Sequence, residues 1–220
     1  ELANALAENG EVQEAIETCL FFGGEGRRLH GQAAPGEGPG QRLSTCRKPV
    51  GVCGILTANS SPLAGPSRKL IPALLCGNTI VWKPSEDAPT IAYLFASAMV
   101  DAGLPAGVVN VVHGKGRAGC AKHFLAGIEK GYYQHFSFTG STAAGRLVGE
   151  LCGRSLMLPN LELGTKNPMI VMEDADLESA VRGAILAAFG SAGQNSTGLA
   201  NLILHEPIAG QFKERFLEEA

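Results

Sequence analysis

Residues 50–56 carry the sequence VGVCGIL, a continuous apolar run of the length of a β-strand. A strand that is apolar at every position is typical of a parallel sheet covered on both faces. Apolar runs at 79–82, 108–112 and 134–138 repeat this pattern, and a helix-length segment separates each run from the next. The alternation predicts an open, doubly wound parallel α/β sheet.

The segments between the apolar runs predict helices with ordinary boundary signals. Gly103 and Pro105, for example, end the helix that is predicted before them. Residues 31–40, GQAAPGEGPG, predict loop or extended chain. The predicted helices span 12–29, 70–76, 88–102, 118–128, 143–152 and 177–188, and two further strands span 160–163 and 169–172.

The composition limits the class of protein. With 45% hydrophobic and 18% charged residues, the chain has enough apolar side chains to bury a core. A net charge of -3 gives no argument for binding nucleic acid or an anionic membrane. The six cysteines lack CxxC pairs and histidine partners, so we expect free, mostly buried thiols and no metal site. No signal peptide or membrane-length apolar run is evident, which predicts a cytoplasmic protein.

Parallel sheets bind ligands beyond the carboxyl ends of their strands, so the residues that follow each strand carry the functional argument. Lys83, Ser85 and Glu86 follow the predicted strand at 79–82. The glutamate is placed to accept, and the lysine to donate, hydrogen bonds at the two hydroxyls of an adenosine ribose. The alternative is a surface turn with a helix cap.

The segment TGSTAAG at 139–145 follows a predicted strand and opens a predicted helix. This is the context in which a helix N-terminus holds a pyrophosphate. The pattern G-x-T-x-x-G, from Gly140 to Gly145 around Ser141, lacks the middle glycine of the usual dinucleotide-binding motif. The alternative is an ordinary strand-to-helix turn.

Glu162 lies between Leu161 and Leu163 at the end of a predicted strand. A carboxylate in this setting is expected to be partly desolvated, which disposes it to act as a base. The alternative is a glutamate that faces solvent.

Six segments, in this order, resemble the NAD(P)-dependent aldehyde dehydrogenase superfamily. They are WKPSE at 82–86, GLPAGVVNVVHG at 103–114, FTGSTAAGR at 138–146, LELGTKNP at 161–168, DADLESAV at 174–181 and GQNS at 193–196. The similarity runs from about Leu6 to the C-terminus.

The resemblance implies two domains. Residues 1–163 would form a Rossmann-like dinucleotide-binding domain, and residues 164–220 the beginning of a second α/β catalytic domain, which is incomplete. The N-terminus also has the character of a truncated end. Residues 31–49 match the extended oligomerisation arm of the family, which implies a homo-oligomer; the alternative is a mobile surface loop.

The resemblance also implies a cofactor and its contacts. Lys83 and Glu86 would contact the adenosine ribose, and Ser141 with its helix the pyrophosphate. Glu86 favours the free ribose hydroxyl of NAD, although Lys83 and Ser85 are able to accept the additional phosphate of NADP. The cofactor-binding positions implied in this way are Lys83, Ser85, Glu86, Gly140, Ser141, Gly145 and Leu163.

The implied reaction is oxidation of a small-molecule aldehyde to a carboxylic acid, and the catalytic centre departs from the family pattern. Glu162 matches the general base, but Ser196 stands where the family carries a nucleophilic cysteine. Ser60 stands at the position of the oxyanion-stabilising asparagine, with Asn59 beside it. Loss of such a donor typically lowers the rate by about 10²–10³. Thr165 replaces a glycine and adds a branched side chain near the nicotinamide region.

These departures leave three functional hypotheses open. The first is an aldehyde dehydrogenase whose nucleophile has been replaced, and the second is a non-catalytic homologue that binds a dinucleotide or acts as an interaction module. The third is an acyl-transfer enzyme of the same superfamily, which the missing oxyanion asparagine disfavours. The aldehyde itself is not identified by the sequence.

Overall fold

A computed structural model describes residues 10–116 and 119–220, and the chain divides into two compact units, Glu1–Glu162 and Leu163–Ala220. The first part of the chain contains α1 (Glu11–Glu25), β1 (Ala33–Pro35), β2 (Arg42–Ser44), β3 (Val52–Leu56), α2 (Ala64–Leu75), β4 (Thr79–Lys83), α3 (Pro89–Asp101), β5 (Val109–Val111), α4 (Cys120–Glu129), β6 (His135–Gly140), α5 (Thr142–Arg154) and β7 (Asn160–Leu163). The rest contains β8 (Asn167–Val171), α6 (Leu177–Phe189), β9 (Leu199–Leu204) and α7 (Glu206–Glu219).

A five-stranded sheet organises the first unit, with the strand order β5-β4-β3-β6-β7. The pairs β3–β4, β3–β6 and β4–β5 are parallel. The chain builds outward from β3 in one direction and then, through β6, in the other, so the strand order reverses between β3 and β6. This is the doubly wound parallel α/β sheet predicted from the sequence, and that prediction is confirmed.

One face of the sheet is covered by α2 and α3. Side chains alternate between the two faces of a strand, so this face takes every second residue of β3 and β4. The indole N–H of Trp82 donates to the hydroxyl of Thr57 at 3.0 Å, which satisfies the polar atom of a fully buried side chain. The buried residues of this layer are Cys53, Ile55, Leu70, Ile80, Trp82, Ala92 and Met99.

Aromatic rings cover the opposite face beside β6. Phe136 packs against Phe124 of α4 and against Tyr133, with ring centroids 5.7 Å and 5.5 Å away. Gly54 of β3 makes room for this cluster, because a Cβ there would lie 2.7 Å from the ring of Phe136. Burial raises the pKa of the Tyr133 phenol, which donates to the carbonyl of Phe124 at 3.3 Å. Helices therefore cover both faces of the sheet.

A distant carboxylate caps the first turn of α2. Glu11 accepts hydrogen bonds from the backbone N–H groups of Leu63 and Ala64, at 3.1 Å and 2.9 Å, and from the hydroxyl of Ser61. Ser61 in turn accepts from the N–H of Gly65 at 3.1 Å. The helix therefore begins six residues before the predicted start at residue 70, because the groups that satisfy its N-terminus are remote in sequence.

The second unit is built on the parallel pair β8–β9. Asp176 caps α6 by accepting from the N–H of Ser179 at 2.7 Å, and this hydrogen bonding lowers the pKa of the Asp176 carboxyl. β9 and α7 lie beyond the last element predicted from the sequence. The core of the unit consists of Val171, Val181, Ala184, Ile208 and Phe212.

Three further predictions concern the cysteines, the start of a helix at residue 118 and membrane-spanning segments. All six cysteines lie in the described residues and are free, but only Cys53 and Cys152 are buried, so the expectation of mostly buried thiols is wrong. The predicted start of a helix at residue 118 lies outside the described residues. Within the described residues, no helix has the length and apolar character needed to cross a membrane.

The capping role of Glu11 gives a stability prediction. Glu11→Ala removes the acceptor of two backbone N–H groups and of the Ser61 hydroxyl. We expect the free energy of unfolding to fall by about 1–2 kcal/mol, measured by urea denaturation. Glu37→Ala, a change of the same charge at an exposed residue, is the matched control and should leave the value within about 0.5 kcal/mol. Equal effects of the two variants would contradict the capping role.

Candidate active site

The carboxyl ends of three neighbouring strands meet at one edge of the sheet. Leu56 of β3 lies opposite Lys83 of β4 on one side and opposite Phe138 of β6 on the other. The chain leaves β3 into the segment that contains Asn59 and Ser60, and it leaves β6 into the start of α5. Open α/β sheets bind ligands at this edge, where the strand order reverses. The predicted site residues that follow these three strands therefore lie at the same edge of the sheet.

The turn from β6 into α5 has the geometry of a capped helix N-terminus. Ser141 is extended, with φ -68 and ψ 149, and its hydroxyl accepts from the N–H of Ala144 at 3.3 Å. The N–H of Gly145 donates to the Ser141 carbonyl at 2.8 Å. A side chain at Gly140 would place its Cβ 2.6 Å from the ring of Phe138. The first N–H groups of α5 and its dipole make this turn suitable for a phosphate.

Lys83 and Glu86 are both engaged by backbone groups. Lys83 is 3% exposed, and its ammonium donates to the carbonyl of Pro84 at 3.2 Å. The carboxylate of Glu86 accepts from the N–H of Gly116, in the segment after β5. The N–H of Asp87 donates to the Ser85 hydroxyl at 3.3 Å. Glu86 is therefore held beside a second strand-following segment rather than free on the surface.

Asn59 and Ser60, the two predicted oxyanion candidates, are both exposed. Within the described residues, neither side chain makes a hydrogen bond. The neighbouring Ser61 differs, because its hydroxyl donates to Glu11. The structure thus leaves two donors free after β3, one amide and one hydroxyl.

Glu162 lies on β7, which is one of the two edge strands of the sheet. Its side chain is exposed, as is that of Asn160 two residues earlier. The expectation of a partly desolvated carboxylate is therefore wrong, because an edge strand turns alternate side chains away from the core.

Lys69 is a buried cation that the sequence analysis missed. It is 8% exposed, and its ammonium donates to the hydroxyl of Ser137 at 3.0 Å. Burial lowers the pKa of Lys69 to about 8, and the negative charge of Glu162 partly opposes this shift. Burial also lowers the pKa of His135, and the charge of Lys69 lowers it further. The available signal was a lysine directly before the apolar run that begins at Leu70.

Lys69 lines a cavity of about 650 Å³ in the first unit. The wall includes three more cationic side chains, Arg47, Lys48 and Arg68, together with His135. In the part of the chain that the structure describes, no carboxylate lines this cavity. Arg68 also forms an ion pair with Glu14, a residue that does not line the cavity. The cavity is therefore a positively charged space beside the amino-terminal half of β6.

The Ser196 loop of the second unit begins with unusual backbone. Ser191, Ala192 and Gly193 have positive φ angles of 54, 55 and 70, the left-handed region that favours glycine. Ser196 itself is exposed, and among residues 10–116 and 119–220 its hydroxyl makes no hydrogen bond. Two side chains approach its backbone, because the Thr165 hydroxyl and the Asn167 amide both donate to the Ser196 carbonyl. Thr165 is predicted to lie near the nicotinamide region, and within its own unit it contacts the loop that carries Ser196.

The site residues therefore fall into two groups, one in each unit. The fold of the first unit is that of a Rossmann-like dinucleotide-binding domain. The sequence profile of the aldehyde dehydrogenase family matches residues 3–220, and the chain belongs to this family.

Several relatives are similar over nearly the whole of this chain. Cytosolic aldehyde dehydrogenase 1 of Mus musculus is 42% identical over 96% of this chain and 41% of its own length. The NADP-dependent succinate-semialdehyde dehydrogenase GabD of Escherichia coli is 37% identical, with 98% of this chain and 44% of that protein covered. The chain thus spans about two fifths of the length of these relatives.

Solved structures also superpose closely on this chain. The crystal structure of PnpE from Pseudomonas sp. WBC-3 superposes with a TM-score of 0.88 and 39% identity, over 98% of this chain and 43% of that one. A crystal structure of PnpE in complex with nicotinamide adenine dinucleotide superposes with a TM-score of 0.87 and covers 96% of this chain.

The buried lysine gives a pH-dependent prediction. The pKa of Lys69 is about 8 in the folded chain, against 10.5 when exposed, so the unfolded chain binds more protons between these values. The free energy of unfolding of the unmodified chain should therefore rise with pH through this window, relative to that of Lys69→Met. We expect a rise of at most on the order of 3 kcal/mol, measured by urea denaturation at a series of pH values. The exposed Lys130→Met is the control, and its profile should run parallel to that of the unmodified chain. A parallel profile for Lys69→Met would refute the assignment.

Proposed function

We propose that this chain binds NAD and carries nucleophile, base and oxyanion positions for oxidation of an aldehyde to a carboxylic acid. The overall reaction consumes the aldehyde, NAD⁺ and water, and yields the acid, NADH and a proton. The observation that carries the proposal is the Ser141-capped N-terminus of α5, which follows β6 at the point where the strand order reverses. Membership of the aldehyde dehydrogenase family supports it.

The residues at this edge fit a dinucleotide. The turn at Gly140 and Ser141 opens α5, and the first backbone N–H groups of this helix are the donors for a pyrophosphate. Lys83, the last residue of β4, and Glu86, which follows that strand, supply one donor and one acceptor for the adenosine ribose. When bound, NAD supplies the hydride acceptor of the reaction. Leu163, at the end of β7, is proposed as an apolar neighbour of the cofactor.

NAD is the favoured form of the cofactor, with NADP as the alternative. Glu86 carries a negative charge beside the proposed ribose position, which repels an additional phosphate. Lys83 and Ser85 are the residues through which the phosphate of NADP would be held.

The proposed chemistry places Ser196 at the attacking position and Glu162 as the base that activates water. A serine hydroxyl is a much weaker acid than a thiol, so Ser196 stays protonated unless a base removes its proton. Ser60 or Asn59 would donate to the developing oxyanion after attack. The substitution of serine for cysteine therefore limits the rate that this chain reaches.

The second candidate function is a homologue that binds NAD without catalysis. The departures Ser196, Ser60 and Thr165 all lie at positions assigned to the reacting centre. The cofactor positions Lys83, Glu86 and Ser141 are intact. This contrast is the specific observation that favours binding without turnover.

A homo-oligomer and a cytoplasmic location complete the proposal. The antiparallel pair of β1 and β2 has every side chain exposed. An exposed two-stranded ribbon is marginally stable alone, which supports a role as an arm that packs on another copy. The relative from Mus musculus is named cytosolic aldehyde dehydrogenase 1, which supports the cytoplasmic location.

Cofactor binding can be tested directly by calorimetric titration with NAD and NADP. We expect saturable binding of NAD, with NADP weaker. Lys83→Met should weaken NAD binding by about 10-fold or more, because a charged hydrogen-bond donor is lost. Lys130→Met, at an exposed lysine after α4, is the matched control and should bind as the unmodified chain does. No binding of either nucleotide would refute the cofactor assignment.

Catalysis can be separated from binding by Ser196→Cys. The thiol ionises near neutral pH, so we expect NADH formation from acetaldehyde or succinate semialdehyde to rise at least about 10²-fold over the unmodified chain. Ser155→Cys, at an exposed serine after α5, controls for a thiol placed elsewhere. Intact NAD binding without any rise in NADH would favour the non-catalytic homologue and contradict the first candidate.

A further inference from the structure

The peptide unit between Ser196 and Thr197 is held at both ends by side chains. Its carbonyl, on Ser196, accepts from the Thr165 hydroxyl and from the Asn167 amide, the latter at 2.8 Å. Its N–H, on Thr197, donates to the side-chain carbonyl of Asn195 at 3.0 Å. A peptide unit is planar, so fixing both polar groups fixes its orientation.

This restraint acts on a loop whose backbone is otherwise unfavourable. Ser191, Ala192 and Gly193, which have positive φ angles, lie three to five residues before Ser196. Non-glycine residues in this region persist only when neighbouring contacts hold them. The hydroxyl of Ser196 makes no hydrogen bond among the described residues, so the contacts that locate this residue are those of its backbone.

Thr165 and Asn167 play different parts in this arrangement. Asn167 also donates to the carbonyl of Gly198 at 3.1 Å, and it pairs with Leu199 at the start of the β8–β9 ladder. Its contacts therefore join the loop to the strand pair. The hydrogen bond of Thr165 reaches only the Ser196 carbonyl. A carbonyl oxygen has two lone pairs, so it accepts from both side chains. Asn167 attaches the loop to the strand pair, and the hydrogen bond from Thr165 further restricts the orientation of the carbonyl.

We propose that Thr165 is a positioning residue that orients Ser196 through the Ser196 carbonyl. Its β-branched side chain has few rotamers, so the hydroxyl is held ready for this contact. The link spans 31 residues of sequence and connects the segment before β8 to the loop after α6. The proposal rests on the proposed function in one respect, which is that Ser196 is the reacting residue.

Hydrogen exchange of the Thr197 amide tests this link without any need for turnover. Thr165→Val keeps the shape of the side chain and removes the hydroxyl, and Thr165→Ser keeps the hydroxyl. We expect the valine variant to raise the exchange rate of the Thr197 amide about 3- to 10-fold, and the serine variant to restore it. The amide of Ile203 in β9 is the internal reference and should not change. An unchanged Thr197 rate in the valine variant would overturn the proposal.

The backbone at Ser196 gives a second readout. The three-bond couplings between the amide and α-protons of Ser196 and Thr197, measured by NMR, should report one backbone conformation in the unmodified chain and in Thr165→Ser. In Thr165→Val they should become averaged over several conformations. Averaged couplings in all three proteins would overturn the proposal. If Ser196→Cys forms no NADH, the proposed catalytic function is wrong. The exchange rate of the Thr197 amide and the NMR couplings do not depend on that result.

Discussion

The hydrogen-bond ladder on both sides of β3 is the constraint on which the first unit depends. It aligns Leu56 with Lys83 on one side and with Phe138 on the other. A shift by one residue would exchange the two faces of a strand and place polar side chains in the core. The same alignment brings the ends of three strands level, so the segments that leave them share one edge. The proposed cofactor contacts are thus a consequence of strand register.

Buried polar groups reinforce this alignment. Asn78 accepts from the N–H groups of Val50 and Gly51 and donates to the carbonyl of Ala73, which ties the end of α2 to the entrance of β3. Lys69 is buried from the same helix against Ser137 of β6. An isolated buried charge is unfavourable, so it is retained where a specific contact or function requires it. Burial lowers the pKa of Lys69 to about 8.

The sequence predicted what is encoded locally. The apolar runs gave the strands of the sheet, and the strand–glycine–helix pattern gave the turn at Ser141. The contacts that it missed join residues far apart in the chain. Glu11 caps a helix 52 residues away, Lys69 meets a serine 68 residues away, and Thr165 meets the Ser196 carbonyl 31 residues away. No local pattern signals such a partner, and the exposure of Glu162 likewise follows from the place of β7 in the sheet.

The function of this chain depends on whether the sheet edge at which the strand order reverses binds a dinucleotide. Hydrogen exchange followed by mass spectrometry, with and without saturating NAD, measures this binding segment by segment. We expect slower exchange in the segments around Ser141 and Glu86, because N–H groups there become hydrogen-bonded or shielded. We expect no change around α7 in the second unit. Protection confined to the cavity beside Lys69, or no protection in either segment, would rule out this binding site.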